Sequence, residues 1–186
     1  LYDWAKEIDD TRPCTMGEDK FRERSATDTT STYIQVADKM DVVGMNYIDR
    51  YPYKYDTLRA THPDWIIYGS ENSSATKSRG VYAHPDSEGT GDSGSHPDYQ
   101  QSSYDNDHVG WGSTATQSWT ANRDRKFVLG EFVWTGFDYI GEPTPWNSTG
   151  VGSISGQGAK PKSSYFGIVD TAGFEKDIYY LYKSLW

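Results

Sequence analysis

Apolar residues occur along the chain in short blocks set between long polar stretches, and the spacing inside each block separates helix from strand. In LYDWAKEID (1–9), Leu1, Trp4, Ala5 and Ile8 fall at helical spacing, and Asp10, Thr11 and Pro13 break the helix. A short strand over 13–16 follows, and residues 17–32 are polar and rich in Thr and Ser, reading as loop or helix. DVVGMNY (41–47) reads as a strand, 53–60 as a helix ended by His62-Pro63, and WIIYGS (65–70) as a second strand. Both strands are continuously apolar rather than alternating, as in a parallel sheet covered on both faces. Residues 83–107 are rich in Gly, Ser, Asp and His with hardly an aliphatic, which predicts a long surface insertion. A helix is expected over 111–122 (Trp111, Ala115, Trp119), the strongest strand over KFVLGEFVW (126–134), and a loop over the Gly-, Pro- and Ser-rich 141–164. The chain closes on a helix from 177 to 186 with Ile178, Leu181, Tyr182 and Leu185 on one face.

Short buried strands alternating with helices predict an α/β fold with a parallel sheet. Four strands amount to half of a (β/α)8 barrel, so residues 1–186 are expected to form one part of such a barrel, with the insertion at about 83–107. No internal repeat is evident. The chain opens at Leu1, without Met and inside a helical pattern, and ends at Trp186, which reads as a fragment.

Composition narrows the chemistry. Apolar content is 35%, yet 15% of residues are aromatic, with seven Trp and fifteen Tyr. Aromatic faces stack on the C–H faces of sugar rings, although they also fill cores and interfaces. A net charge of −9 argues against nucleic acid and anionic membranes as partners, because both need basic patches. No apolar run approaches the ~18 residues of a membrane span. Cys14 is the single cysteine, so no internal disulfide can form, and the compartment stays open.

Two features have the makings of a reactive site. Glu71 follows directly on the apolar run WIIYGS, and in parallel α/β folds active sites gather at the carboxyl ends of strands. The other reading of Glu71 is a partner for a helix N-terminus opening in the Ser-rich stretch behind it. The second feature is GEFVWTGFDYIGEPTPW (130–146), which ends a strand at Trp134 and then supplies Asp138, Glu142, Trp146 and two prolines. Such a stiff aromatic and acidic loop suits a sugar subsite, or simply a connector. Glu131, Asp138 and Glu142 rank below Glu71 as catalytic candidates. His62, His84, His96 and His108 show no metal-ligand spacing, no P-loop or GxGxxG follows a strand, and no GxSxG elbow is present.

The segments IDDTRPCT (8–15), DVVGMNY (41–47), IIYGSENSS (66–74), SRGVY (78–82), GEFVWTGFDYIGEPTPW (130–146) and SYFGIVDTAGFEKDIYYLYKSLW (164–186) resemble, in order, the second half of the catalytic barrel of glycoside hydrolase family 2, β-galactosidase branch. The resemblance covers most of the chain outside the insertion, and its WTGFDYIGEPTPW string is specific. It implies a TIM barrel, strands five to eight, and hydrolysis of terminal β-galactosides with retention through a covalent glycosyl-enzyme. Glu71 matches the nucleophile at the end of strand seven. Tyr47 matches the tyrosine that hydrogen-bonds it, Trp134 the aromatic floor of the galactose subsite, and Asn46 a neighbouring substrate contact.

The family's acid/base glutamate lies in an Asn-Glu pair on strand four, and no Asn-Glu pair occurs in this chain. The expectation is therefore that the acid, the upstream half of the barrel and the flanking β-sandwich domains lie before Leu1. The fragment alone is then inactive, and its open sheet invites self-association. Some relatives bind Mg²⁺ or Na⁺ through residues mostly upstream, and where one places a sodium-binding Asn near its end this chain has Phe166, so no metal or other cofactor is expected. A β-mannosidase or β-glucuronidase of the same family keeps the fold and changes the sugar. A non-catalytic carbohydrate-binding module would share the aromatics but has no need of a tyrosine-supported carboxylate at a strand end.

Overall fold

The computed structural model describes residues 1–22, 25–85, 89–90, 101–145 and 163–186. Its main sheet runs in chain order, β1 (Thr15–Glu18), β2 (Val42–Asn46), β3 (Ile67–Ser73), β6 (Val128–Trp134). β1 pairs with β2 and β2 with β3 in parallel. A helix lies between each successive pair of these strands: α2 (Thr32–Ala37), α3 (Tyr53–Thr61) and α4 (Ala115–Arg123). α1 (Tyr2–Ile8) comes before the first strand and α5 (Asp177–Leu185) after the last. This is the repeating βα order of a (β/α)8 barrel, over four strands. A two-stranded parallel ladder, β4 (Gly89–Thr90) with β5 (Asp107–His108), forms a second sheet.

The chain divides into two compact units, Leu1–Asn72 with Ser118–Phe132, and Ser73–Gln117 with Val133–Trp186. In the first unit the core is made where β2 and β3 meet α2 and α3, with Ile34, Met45, Ile48, Leu58 and Ile67 at most 1% exposed. α3 begins after Pro52, whose fixed φ suits a helix start, and turns Tyr55 and Leu58, three residues apart, inward. It stops at His62, because the residue before Pro63 is pushed out of the helical region. His62 stacks on Trp65 at 3.9 Å, and the Trp65 indole donates to Asp38 at 3.0 Å, which ties the end of α3 to the end of α2. Each buried aliphatic of this layer contributes roughly 1.5–3 kcal/mol.

In the second unit α5 packs Ile178 and Tyr182, one turn apart, against Ala115, Val133 and Ile168. Two lysines are buried beside it. Lys176 pairs with Asp138 at 2.7 Å, and Lys77 with Asp105 at 3.4 Å. Asp105 also accepts from the backbone N–H groups of Ala115 and Thr116, at 2.9 and 2.8 Å, so it caps α4.

Several boundaries differ from expectation. The first strand is 15–18 rather than 13–16, since Pro13 has no N–H for a ladder and the Cys14 carbonyl accepts from Asp41 and Val42. α2, with buried Ile34 and Ala37, had too little apolar contrast to be read. α4 starts at Ala115, leaving Trp111 outside it. Part of 83–107 is interior, with Gln101, Ser102 and Asp107 buried, while 86–88 and 91–100 lie outside the described residues, as do 146–162 of the expected 141–164 loop. The strand at 128–134 is covered on one side only. Leu129 and Phe132 are 70% and 69% exposed and line a cleft of about 500 Å³ with Thr15, Val42 and Tyr68. α1 forms as expected, but Trp4 and Ile8 are exposed, and polar bonds hold it instead: Tyr2 and Lys6 both reach Asp41, at 3.0 and 2.8 Å.

Candidate active site

Glu71 sits near the carboxyl end of β3, beside the end of β2. The β2–β3 register shifts between Met45 and Asn46, so that Asn46 stands opposite Glu71. Tyr47, the next residue, leaves the strand in the left-handed region at φ 56°, ψ 22°. That conformation is costly for a residue with a Cβ and persists where neighbours over-determine it. Here the Tyr47 N–H donates to the Glu71 carbonyl at 2.8 Å, and the Tyr47 hydroxyl donates a short hydrogen bond to Glu71 Oε1. One tyrosine therefore grips both the backbone and the carboxylate of Glu71. The hydroxyl bond fixes the orientation of the Glu71 carboxylate. The Arg22 guanidinium lies 5.7 Å from the centre of the Tyr47 ring, adding positive charge to the same corner.

Asn46 is held from behind. Its Oδ1 accepts from Ser70 Oγ at 2.7 Å, and the pair lies over two glycines. A Cβ at Gly17 would come 2.9 Å from Asn46 Oδ1, and one at Gly44 2.7 Å from Ser70 Oγ. The absent side chains on β1 and β2 make the room in which Asn46 and Ser70 meet.

Trp134 belongs to the second unit, as the last residue of β6. Its ring meets Tyr139 edge-on at 5.9 Å, and the peptide to Thr135 is cis. The described part of the loop beyond, up to Pro145, is held by hydrogen bonds. Thr135 N–H donates to Phe166 O at 3.3 Å, Asp138 N–H to Val169 O at 2.9 Å, and Gly167 N–H to Asp138 Oδ1 at 2.7 Å. Burial pushes the Asp138 carboxyl up and the Lys176 ammonium down, with their mutual attraction working against both shifts. Tyr139 donates a short bond to Glu142, and Thr144 donates to it at 3.2 Å.

The structure thus brings together Glu71, Tyr47 and Asn46 in one unit and fixes Trp134 in the other; Trp146 lies outside the described residues. The three weaker carboxylate candidates are each tied into internal bonds. Asp138 pairs with Lys176, Glu142 serves Tyr139 and Thr144, and Glu131 accepts from Asn72, Ser118 and Asn122. Ser70, Arg22 and Asn72 enter the site's surroundings without a signal in the linear pattern, because what links them is register and sheet geometry. No group of three or more His, Cys, Asp or Glu residues poised to hold a metal occurs among the described residues.

No family model matches the chain. Beta-galactosidase BoGH2A of Bacteroides ovatus is 37% identical over 192 aligned residues, covering 100% of this chain and 20% of that protein. A beta-glycosidase from Bacteroides vulgatus superposes with a TM-score of 0.68 at 24% identity, over 100% of this chain and 23% of that chain. A GH2 beta-galacturonidase from Eisenbergiella tayi gives 0.61 at 15% identity, over 99% and 28%. The chain spans 20–28% of the length of these proteins. With an alignment that runs its whole length and the four-strand βα order of their barrels, this chain is similar to a segment of glycoside hydrolase family 2 enzymes.

Proposed function

We propose that the protein carrying this segment is a retaining β-galactosidase and that Glu71 is its nucleophile. The observation that carries the reading is the Tyr47–Glu71 pair at the carboxyl ends of adjacent parallel strands, within a chain 37% identical to a beta-galactosidase. A carboxylate oxygen of Glu71 attacks the anomeric carbon as the bond to the aglycone oxygen breaks. A second carboxylic acid, ~5–5.5 Å from the first in retaining enzymes, protonates the departing oxygen. The same group then takes a proton from water, which attacks the anomeric carbon and releases Glu71. The acid is expected upstream of this chain, together with the rest of the barrel and the β-sandwich domains, and the open apolar cleft at Leu129 and Phe132 fits a surface that the upstream half covers. Trp134 is the proposed stacking face for the galactose ring, and Asn46 a contact to its hydroxyls. A binding module without catalysis has no use for a tyrosine that grips both the backbone and the carboxylate of one glutamate.

The second reading, a β-glucuronidase, takes support from Arg22 beside Tyr47 and from a Bacteroides uniformis beta-glucuronidase that superposes with a TM-score of 0.62 at 18% identity. One experiment separates these readings. The full-length protein is treated with 2-fluoro-galactosyl and 2-fluoro-glucuronosyl inactivators and digested, and the labelled peptide is sequenced. A galactosyl label on Glu71 is expected. A label on Glu131 or Glu142 removes Glu71 as nucleophile, and labelling by the glucuronosyl reagent alone favours the second reading.

A further inference from the structure

We infer that Glu131, acting through Asn72, is a positioning residue that holds the Glu71 end of β3 in its attacking register. The inference rests on Glu71 being the nucleophile. Asn72 follows Glu71 on β3 and is fully buried, so while Tyr47 holds Glu71, the next side chain enters the layer between sheet and helices. There Asn72 Nδ2 donates to Glu131 Oε2 at 3.1 Å and lies 3.5 Å from the Tyr55 hydroxyl. The amide packs directly on Gly69, where a Cβ would come 2.3 Å from Asn72 Nδ2, so it occupies the room that a side chain there would take. Glu131 Oε2 also accepts a short bond from Ser118 and one from Asn122 at 2.9 Å. One carboxyl oxygen on β6 therefore gathers β3 and α4, with Tyr55 of α3 beside it. A backbone shift at Asn72 moves Glu71 by the same amount, and misplacement of about 1 Å at a reacting group costs on the order of a hundredfold in rate.

The state of this carboxyl is unusual. Glu131 Oε1 is buried without a hydrogen-bond partner among the described residues, and no lysine, arginine or histidine among them pairs with Glu131. The titratable groups around it are Tyr55 from α3, Asp49 from the short 3₁₀ turn Ile48–Arg50, and Arg125 after α4, which is engaged with Asp56 at 2.7 Å. Burial pushes Glu131 up to about 7, with the Ser118 and Asn72 bonds opposing and the Asp49 charge adding to the rise. Below that pH the Glu131 carboxyl is neutral. Above it a negative charge forms where one oxygen has no donor, and the cluster must loosen or admit water.

The test uses the full-length protein and an activated 2-fluoro-galactoside whose dinitrophenolate leaving group needs no general acid, so that the rate of labelling reports attack by Glu71 alone. In the wild type, the saturating rate is expected to fall about tenfold between about pH 6 and pH 8. Glu131→Gln keeps an acceptor oxygen and cannot ionise. It is expected to label within about threefold of wild type near pH 6 and to stay level to pH 8. Glu131→Ala is expected to lose about tenfold or more in saturating rate near pH 6, with the half-saturating concentration changed less than about threefold. A wild type that is not labelled at Glu71 overturns the nucleophile assignment, and this inference with it. Labelling at Glu71 with a level wild-type profile, or with the same alkaline fall in Glu131→Gln, overturns this inference alone. So does a Glu131→Ala variant as fast as wild type; where that variant fails to fold, the Glu131→Gln profile decides.

Discussion

Lys176→Met removes one side of a buried ion pair, and its consequences can be worked from the geometry. Lys176 and Asp138 are 2% and 8% exposed in their side chains, with Nζ and Oδ2 2.7 Å apart. Lys176 Nζ also donates to the carbonyls of Lys77 at 2.7 Å and Tyr165 at 3.4 Å. Methionine fills most of the volume but leaves Asp138 a buried carboxylate with only Gly167 N–H as donor among its described partners. Breaking one side of such a pair costs roughly 3–5 kcal/mol. The loss falls on the loop that starts at Trp134, where Thr135, Asp138, Ile168 and Val169 N–H groups hold the two segments together. Hydrogen exchange on the full-length protein reads this directly, because those amides should exchange roughly two to three and a half orders of magnitude faster. The penalty depends on pH with a definite sign. Burial already raises the Asp138 carboxyl above its ordinary 3.8, and loss of Lys176 removes the charge that opposes the rise. The folded state then keeps a proton that the opened state releases, so the destabilisation is smallest in acid and grows as pH rises above about 4. Lys176→Met with Asp138→Asn should recover most of the protection, since the amide still accepts from Gly167. Unchanged exchange in the single variant, or a double variant no better protected than the single, would refute the clamp.

Three further outcomes follow from the proposed site. Tyr47→Phe in the full-length protein should lower kcat about 10- to 100-fold with a smaller change in KM, because the lost bond is to a charged group worth roughly 1.5–3 kcal/mol; unchanged steady-state kinetics on an aryl β-galactoside would remove Tyr47 from the chemistry. Trp134→Ala should cut kcat/KM by at least about tenfold through lost stacking and a displaced Tyr139 contact, and wild-type turnover would dismiss it as the subsite floor. The 186-residue chain expressed alone should be inactive and should self-associate at micromolar concentration, since β1 and β6 are open outer strands and Leu129 and Phe132 are uncovered. A compact monomer in analytical ultracentrifugation, or turnover near that of the full-length protein, would contradict this.

The linear pattern determined the strand-and-helix order, because apolar runs such as DVVGMNY and the Ile178–Tyr182 stripe carry their own periodicity. It also singled out Glu71, since a carboxylate at the end of a buried run is hard to explain by packing. It could not resolve α2, whose Ile34 and Ala37 are too few to show a period, nor foresee that Trp4 and Ile8 stay exposed, because amphipathicity says which face is apolar and not what covers it. The roles of the other carboxylates were decided by tertiary structure alone. Glu131, Asp138 and Glu142 stand within twelve residues of one another and look alike in sequence. Only the folded chain sends Glu131 to Asn72 and α4, Asp138 to Lys176 and Glu142 to Tyr139. The grip of Tyr47 on Glu71 likewise requires the register shift after Met45 and a left-handed turn at a tyrosine. Local preference disfavours that turn, and cross-strand hydrogen bonds that no local window contains impose it.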